Sequence, residues 1–297
     1  MLRWFQIVVF ALALGGCASS SKSHPDRLDS ASTIRDGQGS SDRGADVARD
    51  ATASAALRLG ALSDVHGDLQ ALESLVTQLA AKGVSFVVLL GDLAADRQAI
   101  VKTVEVVARA GLPVYVLPGN YERRVDFAAA MVDLGERFGD RVVDLSAVTA
   151  FTRQTVRFVA LGGYHDPRWV GEDCFRYGEA ELQRVASLLG SGEAPDVLLT
   201  HGPPQSSGTH GIDYVPGAGN VGDPALKQLI EQHEVAFSIS GHIHEAGQRA
   251  VDAKDRALAA GQPANKMLLN AAAVRDGKAS LVTIAAGQMS FTALSAP

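Results

Sequence analysis

The chain of 297 residues has a formal charge of −6 and is 46% hydrophobic and 20% charged, which is the composition of a globular protein. This length allows one large domain or two small ones. The acidic balance excludes a global basic surface for nucleic acid, so no nucleic-acid partner is expected.

Residues 1–17 have the layout of a signal peptide. Arg3 precedes an apolar stretch over 4–14, which is too short to favour a membrane-spanning helix. The LGGC sequence at 14–17 resembles a bacterial lipobox, in which the cysteine becomes the lipidated first residue of the mature protein. We interpret the protein as lipid-anchored through Cys17 in the cell envelope, at the periplasmic face of the outer membrane if the source is Gram-negative. A soluble secreted protein is the alternative.

The next segment, 18–56, is polar and contains no aromatic residue. Its large aliphatic residues are Leu28, Ile34 and Val47. Such a composition cannot bury enough apolar surface to fold. The segment is therefore predicted to be a disordered tether that leads to a single domain over 57–297.

Short apolar runs alternate with helical patterns in the first half of this domain. Strands are predicted at 57–63, 85–90 and 113–117, with helices at 69–83, 97–109 and 124–138. This alternation implies parallel crossovers. Further strands are predicted at 156–161, 196–200, 235–240 and 266–270, with a closing hairpin over 279–294. Together, these predicted strands and helices indicate a layered α/β sandwich of two facing sheets with helices outside.

Polar clusters follow five of the predicted strands. They are SDVHGD at 63–68, GD at 91–92, GNYE at 119–122, THGPP at 200–204 and GHIH at 241–244. Ligands of α/β folds gather beyond the carboxyl ends of strands. One Gly-Asp pair alone is ordinary turn chemistry. Five clusters in the same relation to their strands indicate one shared site.

The ordered set D-x-H, GD, GN, H and GHxH resembles the signature of the calcineurin-like metallophosphoesterases. The resemblance implies a four-layer α/β/β/α sandwich with a dinuclear metal centre. It implies that one ion is bound by Asp64, His66 and His244, that the other is bound by Asn120, His201 and His242, and that Asp92 bridges them. The sequences THGPP, NVGDPALKQLI and GHIHEAG look most like the small bacterial and animal phosphodiesterase branch of the superfamily.

These residue types also suit two transition-metal ions on chemical grounds. Mixed imidazole, carboxylate and amide ligands favour Mn, Fe, Zn or Ni over Ca or Mg. A pair of ions about 3.5–4 Å apart can clamp the attacking and leaving oxygens of a phosphoryl transfer and activate a water. The predicted function is a dinuclear metal-dependent phosphodiesterase that hydrolyses small phosphoesters. The alternative is a metal-binding scaffold of the same fold with weak or no turnover.

The sequence departs from the metallophosphoesterases that it resembles at Tyr121. These proteins usually carry a histidine there, which stabilises the phosphoryl group or protonates the leaving oxygen. A phenol with a pKa of about 10 is a weaker proton donor than an imidazolium. His165 is a second candidate acid, oriented by Asp166. The candidate catalytic residues are thus Asp92, Asn120, Tyr121 and His165. Packing on the rim is the alternative for Tyr121, and a plain surface loop is the alternative for His165.

Other polar residues near the motifs have structural interpretations. Asp68 is predicted to cap the helix that starts after it. Asn270 stands where relatives usually carry an Asn-Pro-Gly turn. Alanines follow it here, so we predict only a supporting role for Asn270. Arg123, Arg124 and Arg168 are candidate phosphate contacts, with helix-start or solvated positions as the default.

Overall fold

The computed structural model describes residues 56–147, 149–190 and 196–297. The predicted signal peptide with Cys17, and residues 18–55 of the predicted tether, lie outside the described residues. Among the residues that are described, no helix is long and apolar enough to cross a membrane.

The described part of the chain contains five α-helices and fifteen strands. The helices are α1 (Leu69–Ala81), α2 (Arg97–Arg109), α3 (Arg124–Phe138), α4 (Glu179–Leu188) and α5 (Pro224–Gln232). The first seven strands are β1 (Leu57–Leu62), β2 (Phe86–Leu90), β3 (Val114–Leu117), β4 (Val142–Asp144), β5 (Thr149–Arg153), β6 (Val156–Leu161) and β7 (Asp196–Thr200). The others are β8 (Tyr214–Val215), β9 (Gly219–Asn220), β10 (Phe237–Ser240), β11 (Arg249–Val251), β12 (Ala257–Leu258), β13 (Met267–Asn270), β14 (Lys278–Ala285) and β15 (Gln288–Ser295).

The strands form two large sheets and one short ribbon. The first sheet has the order β15-β14-β1-β2-β3-β4, the second has the order β12-β11-β13-β10-β7-β6-β5, and β8 pairs with β9. Strands β1, β2 and β3 are parallel neighbours, as predicted from the strand and helix alternation. In the second sheet β6, β7, β10 and β13 are also parallel. Parallel pairing places the carboxyl ends of neighbouring strands at one edge of each sheet.

Three apolar cores separate four layers. The first core lies between helices α1 to α3 and the first sheet, and includes Leu72, Val104 and Phe127. The second lies between the two sheets, where Phe86 meets Phe158 with ring centroids 5.6 Å apart. The third lies between the second sheet and helices α4 and α5. Each large apolar side chain buried in these cores contributes about 1.5–3 kcal/mol. The predicted α/β/β/α sandwich is therefore confirmed.

The start of α1 is the one predicted from the sequence. Helices α4 and α5, by contrast, are not predicted from the spacing of apolar residues. The Asp68 side chain accepts a hydrogen bond from the Ala71 amide at 3.0 Å, so Asp68 is the predicted helix cap. Helix α4 buries only Val185, which leaves almost no apolar periodicity to detect. Helix α5 does carry a start signal, because Asp223 caps it and Pro224 is its first residue.

Candidate metal centre

The loops that follow β1 and β2 hold each other in place. The Asp64 amide donates to the Gly91 carbonyl, and the His66 amide donates to the Asp92 carbonyl, each at 3.0 Å. Asp64, His66, Asp92 and His242 all have positive φ angles, of 53°, 47°, 54° and 66°. Positive φ is uncommon for residues other than glycine, and such strained positions cluster at functional sites. The strain aims these four side chains into one volume.

A first group of candidate ligands consists of Asp64, His66 and His244. Their ligand atoms all lie within 4.8 Å of one another. Asp64 Oδ1 is 3.3 Å from His244 Nε2 and 3.9 Å from His66 Nε2. This oxygen is buried and accepts no hydrogen bond among the described atoms. A buried carboxylate oxygen of this kind is costly without a cation, so the group fits a metal ion.

The second group contains acceptor atoms that face each other. His201 Nδ1 lies 2.8 Å from the Leu90 carbonyl, which can only accept, so this nitrogen carries the proton. His201 Nε2 then presents a lone pair to Asn120 Oδ1 at 2.8 Å. The Asn120 amide nitrogen donates to the Trp169 carbonyl at 2.8 Å, which fixes the amide in this orientation. Two acceptors directed at the same place fit a cation between them.

His242 completes this second group. One ligand atom each from Asp64, Asp92, His201 and His242 lies within 4.8 Å of the others. The ring centroids of His242 and His201 are 4.8 Å apart. The backbone amide of His242 donates to Asp64 Oδ2 at 2.8 Å. Burial and the nearby His201 lower the pKa of His242 to about 3. The imidazole is therefore neutral at physiological pH, which is the form that binds metal.

The carboxylate of Asp92 lies between the two groups. Asp92 Oδ1 is 3.4 Å from His201 Nε2, and Asp92 Oδ2 is 3.8 Å from His66 Nε2. Burial and the negative charge of Asp64 raise the pKa of Asp92 well above its usual value. Burial also opposes ionisation of Asp64, but the surrounding histidines, with His244 the strongest, lower its pKa below the ordinary range. Two buried carboxylates this close need positive charge, which two divalent cations would supply.

Two glycines of the motifs permit these approaches. A Cβ atom on Gly119 would collide with Asp92 Oδ1 and would lie 2.9 Å from His201 Cε1. One on Gly241 would collide with the Ser63 side chain and lie 2.8 Å from Asp64 Oδ2. Any larger residue at either position would displace a candidate ligand.

Glu122, for which the sequence predicts no role, supports two of the ligand loops. Its side chain is fully buried and accepts from the amides of Gly119, Leu93 and Asp92, the first at 2.8 Å and the last at 3.3 Å. Burial and the charge of Asp92 raise the pKa of Glu122 to about 7. The residue stands inside the GNYE motif, but its buried environment was not visible in the sequence.

A protein-family model and solved structures are similar to this chain. The model of the calcineurin-like phosphoesterase family matches residues 57–246. The chain belongs to this family. No curated protein sequence matches the chain significantly.

Solved structures share the fold of this phosphoesterase at low sequence identity. A protein of Thermus thermophilus is 17% identical with a TM-score of 0.57, over 79% of this chain and 97% of that one. A dimetal phosphatase from Danio rerio is 14% identical with a TM-score of 0.55, over 81% of this chain and 99% of that one. At these identities the likeness concerns the fold.

Asn270 holds the loop between the two last histidines of the motif. Its amide nitrogen lies 3.4 Å from the Gly241 carbonyl and 2.9 Å from the Ile243 carbonyl, which flank His242. Its Oδ1 accepts from the Ala272 amide at 3.0 Å. The supporting part predicted for Asn270 is thus a clamp on the loop that carries His242. Ala272 has a φ of 83°, in the left-handed region that favours glycine.

Ala272→Gly is expected to be more stable than Ala271→Gly by about 1–2 kcal/mol, which is the cost of a left-handed backbone for an L-residue. Both variants lose one buried methyl group and gain freedom in the unfolded chain, so these two costs cancel in the comparison. Urea unfolding of the metal-free protein measures the change. Ala271→Gly is the matched control, because Ala271 is buried next to it with no positive φ, and this variant should lose stability. An equal loss in both variants would contradict the strain at Ala272.

The two other candidate catalytic residues lie beside the ligands. Tyr121 is 46% exposed, and its ring packs edge-on against His66 with centroids 5.2 Å apart. The Tyr164 ring contacts both His165 and His242, with ring centroids 4.5 Å and 4.0 Å away, so His165 lies near the second group. The Nδ1 atom of His165 is buried and has no hydrogen-bond partner among the described atoms. Asp166 binds the Arg168 guanidinium instead, so the predicted orientation of His165 by Asp166 is wrong.

The arginines singled out in the sequence are engaged elsewhere. Arg168 pairs with Asp166 at 2.5 Å, and Arg123 lies 3.6 Å from Asp126. Arg124 stacks over the Phe175 ring, 4.7 Å from its centroid. These contacts agree with the default interpretation of all three as structural or solvated residues.

Proposed function

We propose that this phosphoesterase is a dinuclear metal-dependent phosphodiesterase that hydrolyses small phosphoesters. The observation that carries the proposal is the position of Asp92. One of its carboxylate oxygens faces His201 and the other faces His66, so a single residue serves both candidate ligand groups. We assign Asp64, His66 and His244 to one ion, Asn120, His201 and His242 to the other, and Asp92 to both.

The site suits an anionic substrate. When bound, two divalent ions such as Mn²⁺, Fe²⁺, Zn²⁺ or Ni²⁺ neutralise phosphoryl charge and activate a water for attack. Arg275 adds positive charge on the side of the first group. Burial lowers the pKa of His66, and Arg275 lowers it further, against the opposite effect of Asp64. The Arg275 side chain is exposed and forms no ion pair with a described carboxylate, so it is free to meet an anion.

Preference for diesters follows from the groups available to protonate a leaving oxygen. Tyr121 lies at the open side of the site, where His66 is 21% exposed, and a phenol donates a proton less readily than an imidazolium. Diesters with aryl or strained cyclic leaving groups need little protonation. His165 near His242 is the other candidate acid.

A metal-binding scaffold without turnover is the alternative function. Tyr121 favours it, because relatives usually have histidine at this position. The complete set of candidate ligands speaks against decay of the site.

Metal analysis coupled to hydrolysis assays tests the proposal. The purified full chain should contain two ions per molecule and hydrolyse bis(4-nitrophenyl) phosphate faster than 4-nitrophenyl phosphate. A chelator should abolish hydrolysis, and Mn²⁺ should restore it. Two bound ions without hydrolysis of either ester would favour the scaffold.

We also propose that the enzyme works in the cell envelope, attached through a lipid on Cys17. The LGGC sequence at 14–17 after an apolar stretch supports this, and so does the polar composition of the segment before β1.

Cys17→Ser is expected to move the protein out of the membrane fraction or to block its maturation, because serine provides no thiol for the lipid. Fractionation and immunoblotting of expressing cells measure the distribution. Cys174→Ser is the control, since Cys174 lies within the folded domain, is half-buried there, and should leave the distribution unchanged. Membrane association that survives Cys17→Ser would remove the lipoprotein assignment.

A further inference from the structure

The turn after β13 lies directly against the first ligand group. The Val274 amide donates to the Ser63 carbonyl at 2.8 Å, and the Arg275 amide donates to the Asp64 carbonyl at 3.1 Å. These bonds tie the short helical turn Val274–Asp276 to Ser63 and Asp64, the two residues that follow β1. Gly277 ends the turn in a left-handed conformation and donates to the Val274 carbonyl at 2.7 Å. The position of Asp276 relative to Asp64 is thereby fixed by backbone bonds.

The imidazole of His244 lies between two carboxylates. Its Nε2 is 3.3 Å from Asp64 Oδ1, and its Nδ1 is 3.5 Å from Asp276 Oδ2. A neutral imidazole has one protonated and one unprotonated nitrogen. A carboxylate next to Nδ1 favours the proton there, and this leaves the Nε2 lone pair directed at the volume shared with Asp64 and His66. Histidine ligands commonly have such an outer partner.

We infer that Asp276 is a positioning residue for His244, which it holds with Nδ1 protonated and Nε2 directed at the ion of the first group. The inference rests on the metal centre of the proposed function. It concerns one of the two ions only. His201 in the second group has a backbone carbonyl in the same outer position, which no side-chain substitution removes.

The two ions should therefore respond differently to changes at Asp276. Removing an outer carboxylate usually weakens metal binding about 10- to 100-fold. Asp276 is 42% exposed, so its replacement should leave the fold intact. Glu245 provides a matched control, because it is an exposed acid beside His244 in the turn His244–Ala246 and makes no described contact with the ring.

Titration of the metal-free full chain with Mn²⁺ alone, followed by calorimetry, tests the inference. Asp276→Asn should weaken one binding step about 10- to 100-fold and leave the other step unchanged. Asp276→Glu should recover most of the lost affinity, and Glu245→Gln should match the parent. In a His244→Ala background, Asp276→Asn should have no further effect on Mn²⁺ affinity.

Several results would overturn the inference. One is parental Mn²⁺ binding at both steps in Asp276→Asn, and another is an equal loss at both steps. A third is an undiminished effect of Asp276→Asn in the His244→Ala background. A parent chain that binds no Mn²⁺ would overturn it as well. A parent that binds two ions with the expected Asp276 effect, but hydrolyses no phosphoester, would refute the proposed activity and leave the role of Asp276 supported.

Discussion

Asp92→Ala is expected to lower turnover of an aryl phosphodiester by about 10³-fold or more and to reduce the bound metal from two ions toward one or none. The carboxylate faces His201 with one oxygen and His66 with the other, so its loss removes a ligand from both groups at once. A two-ion clamp stabilises the transition state by several kcal/mol, and about 1.4 kcal/mol corresponds to a tenfold change in rate. Metal analysis and initial rates with excess Mn²⁺ measure both effects.

Asp68→Ala is the control for this experiment. Asp68 is an acid of the neighbouring motif, but its side chain caps α1 and belongs to neither ligand group. Its replacement should cost about 1 kcal/mol of stability and leave metal content and turnover near the parental values. Asp92→Ala with two bound ions and parental turnover would show that no bridging carboxylate is needed, and the assignment of Asp92 to both ions would then be wrong.

The strands and their polar ends could be predicted because both depend on short stretches of sequence. The run before His242 is apolar and ends in glycine, so the sequence places the histidine at a strand end. Helices α2 and α3 also have the predicted bounds, since their apolar spacing is regular. Within each sheet, the motifs then meet because parallel strands bring their carboxyl ends to one edge.

The groups around the ligands could not be predicted, because they come from distant parts of the chain or have no local signal. The Leu90 carbonyl that sets the proton position on His201 is 111 residues away in sequence, and any residue type could supply it. Asp276 is an exposed acid in an ordinary turn, and only the folded structure places it beside His244. Glu122 is within a motif, but its three amide donors come from two different loops.

Tyr121 occupies the position where the sequence departs from the metallophosphoesterase signature. The structure shows which groups Tyr121 contacts there. Its amide donates to Asp92 Oδ1 at 3.0 Å, and its ring packs against His66. Its hydroxyl has no hydrogen-bond partner among the described residues. Tyr121 therefore contacts two candidate ligands, Asp92 through its backbone and His66 through its ring.

Tyr121→His is expected to raise turnover of alkyl phosphoesters by about 10²-fold, and to change turnover of aryl diesters much less. An alkoxide leaving group needs a proton in the transition state, and general acid catalysis is typically worth about 10²–10⁴-fold. A phenolate leaves without such help. Rates on a series of esters with leaving groups of graded pKa measure the effect as a smaller slope against leaving-group pKa.

Tyr121→Phe and His165→Ala separate the remaining interpretations of the site. If the phenol donates one neutral hydrogen bond to the substrate, Tyr121→Phe should cost about 0.5–1.5 kcal/mol, which is about 2- to 10-fold in rate. If His165 already acts as the acid, His165→Ala should flatten the pH profile, and Tyr121→His should add little. The structure motivates this test, because His165 Nδ1 is buried without a hydrogen-bond partner among the described atoms and the Tyr164 ring contacts both His165 and His242. Parental rates in all three variants on every leaving group would leave Tyr121 with its packing contact on His66 alone.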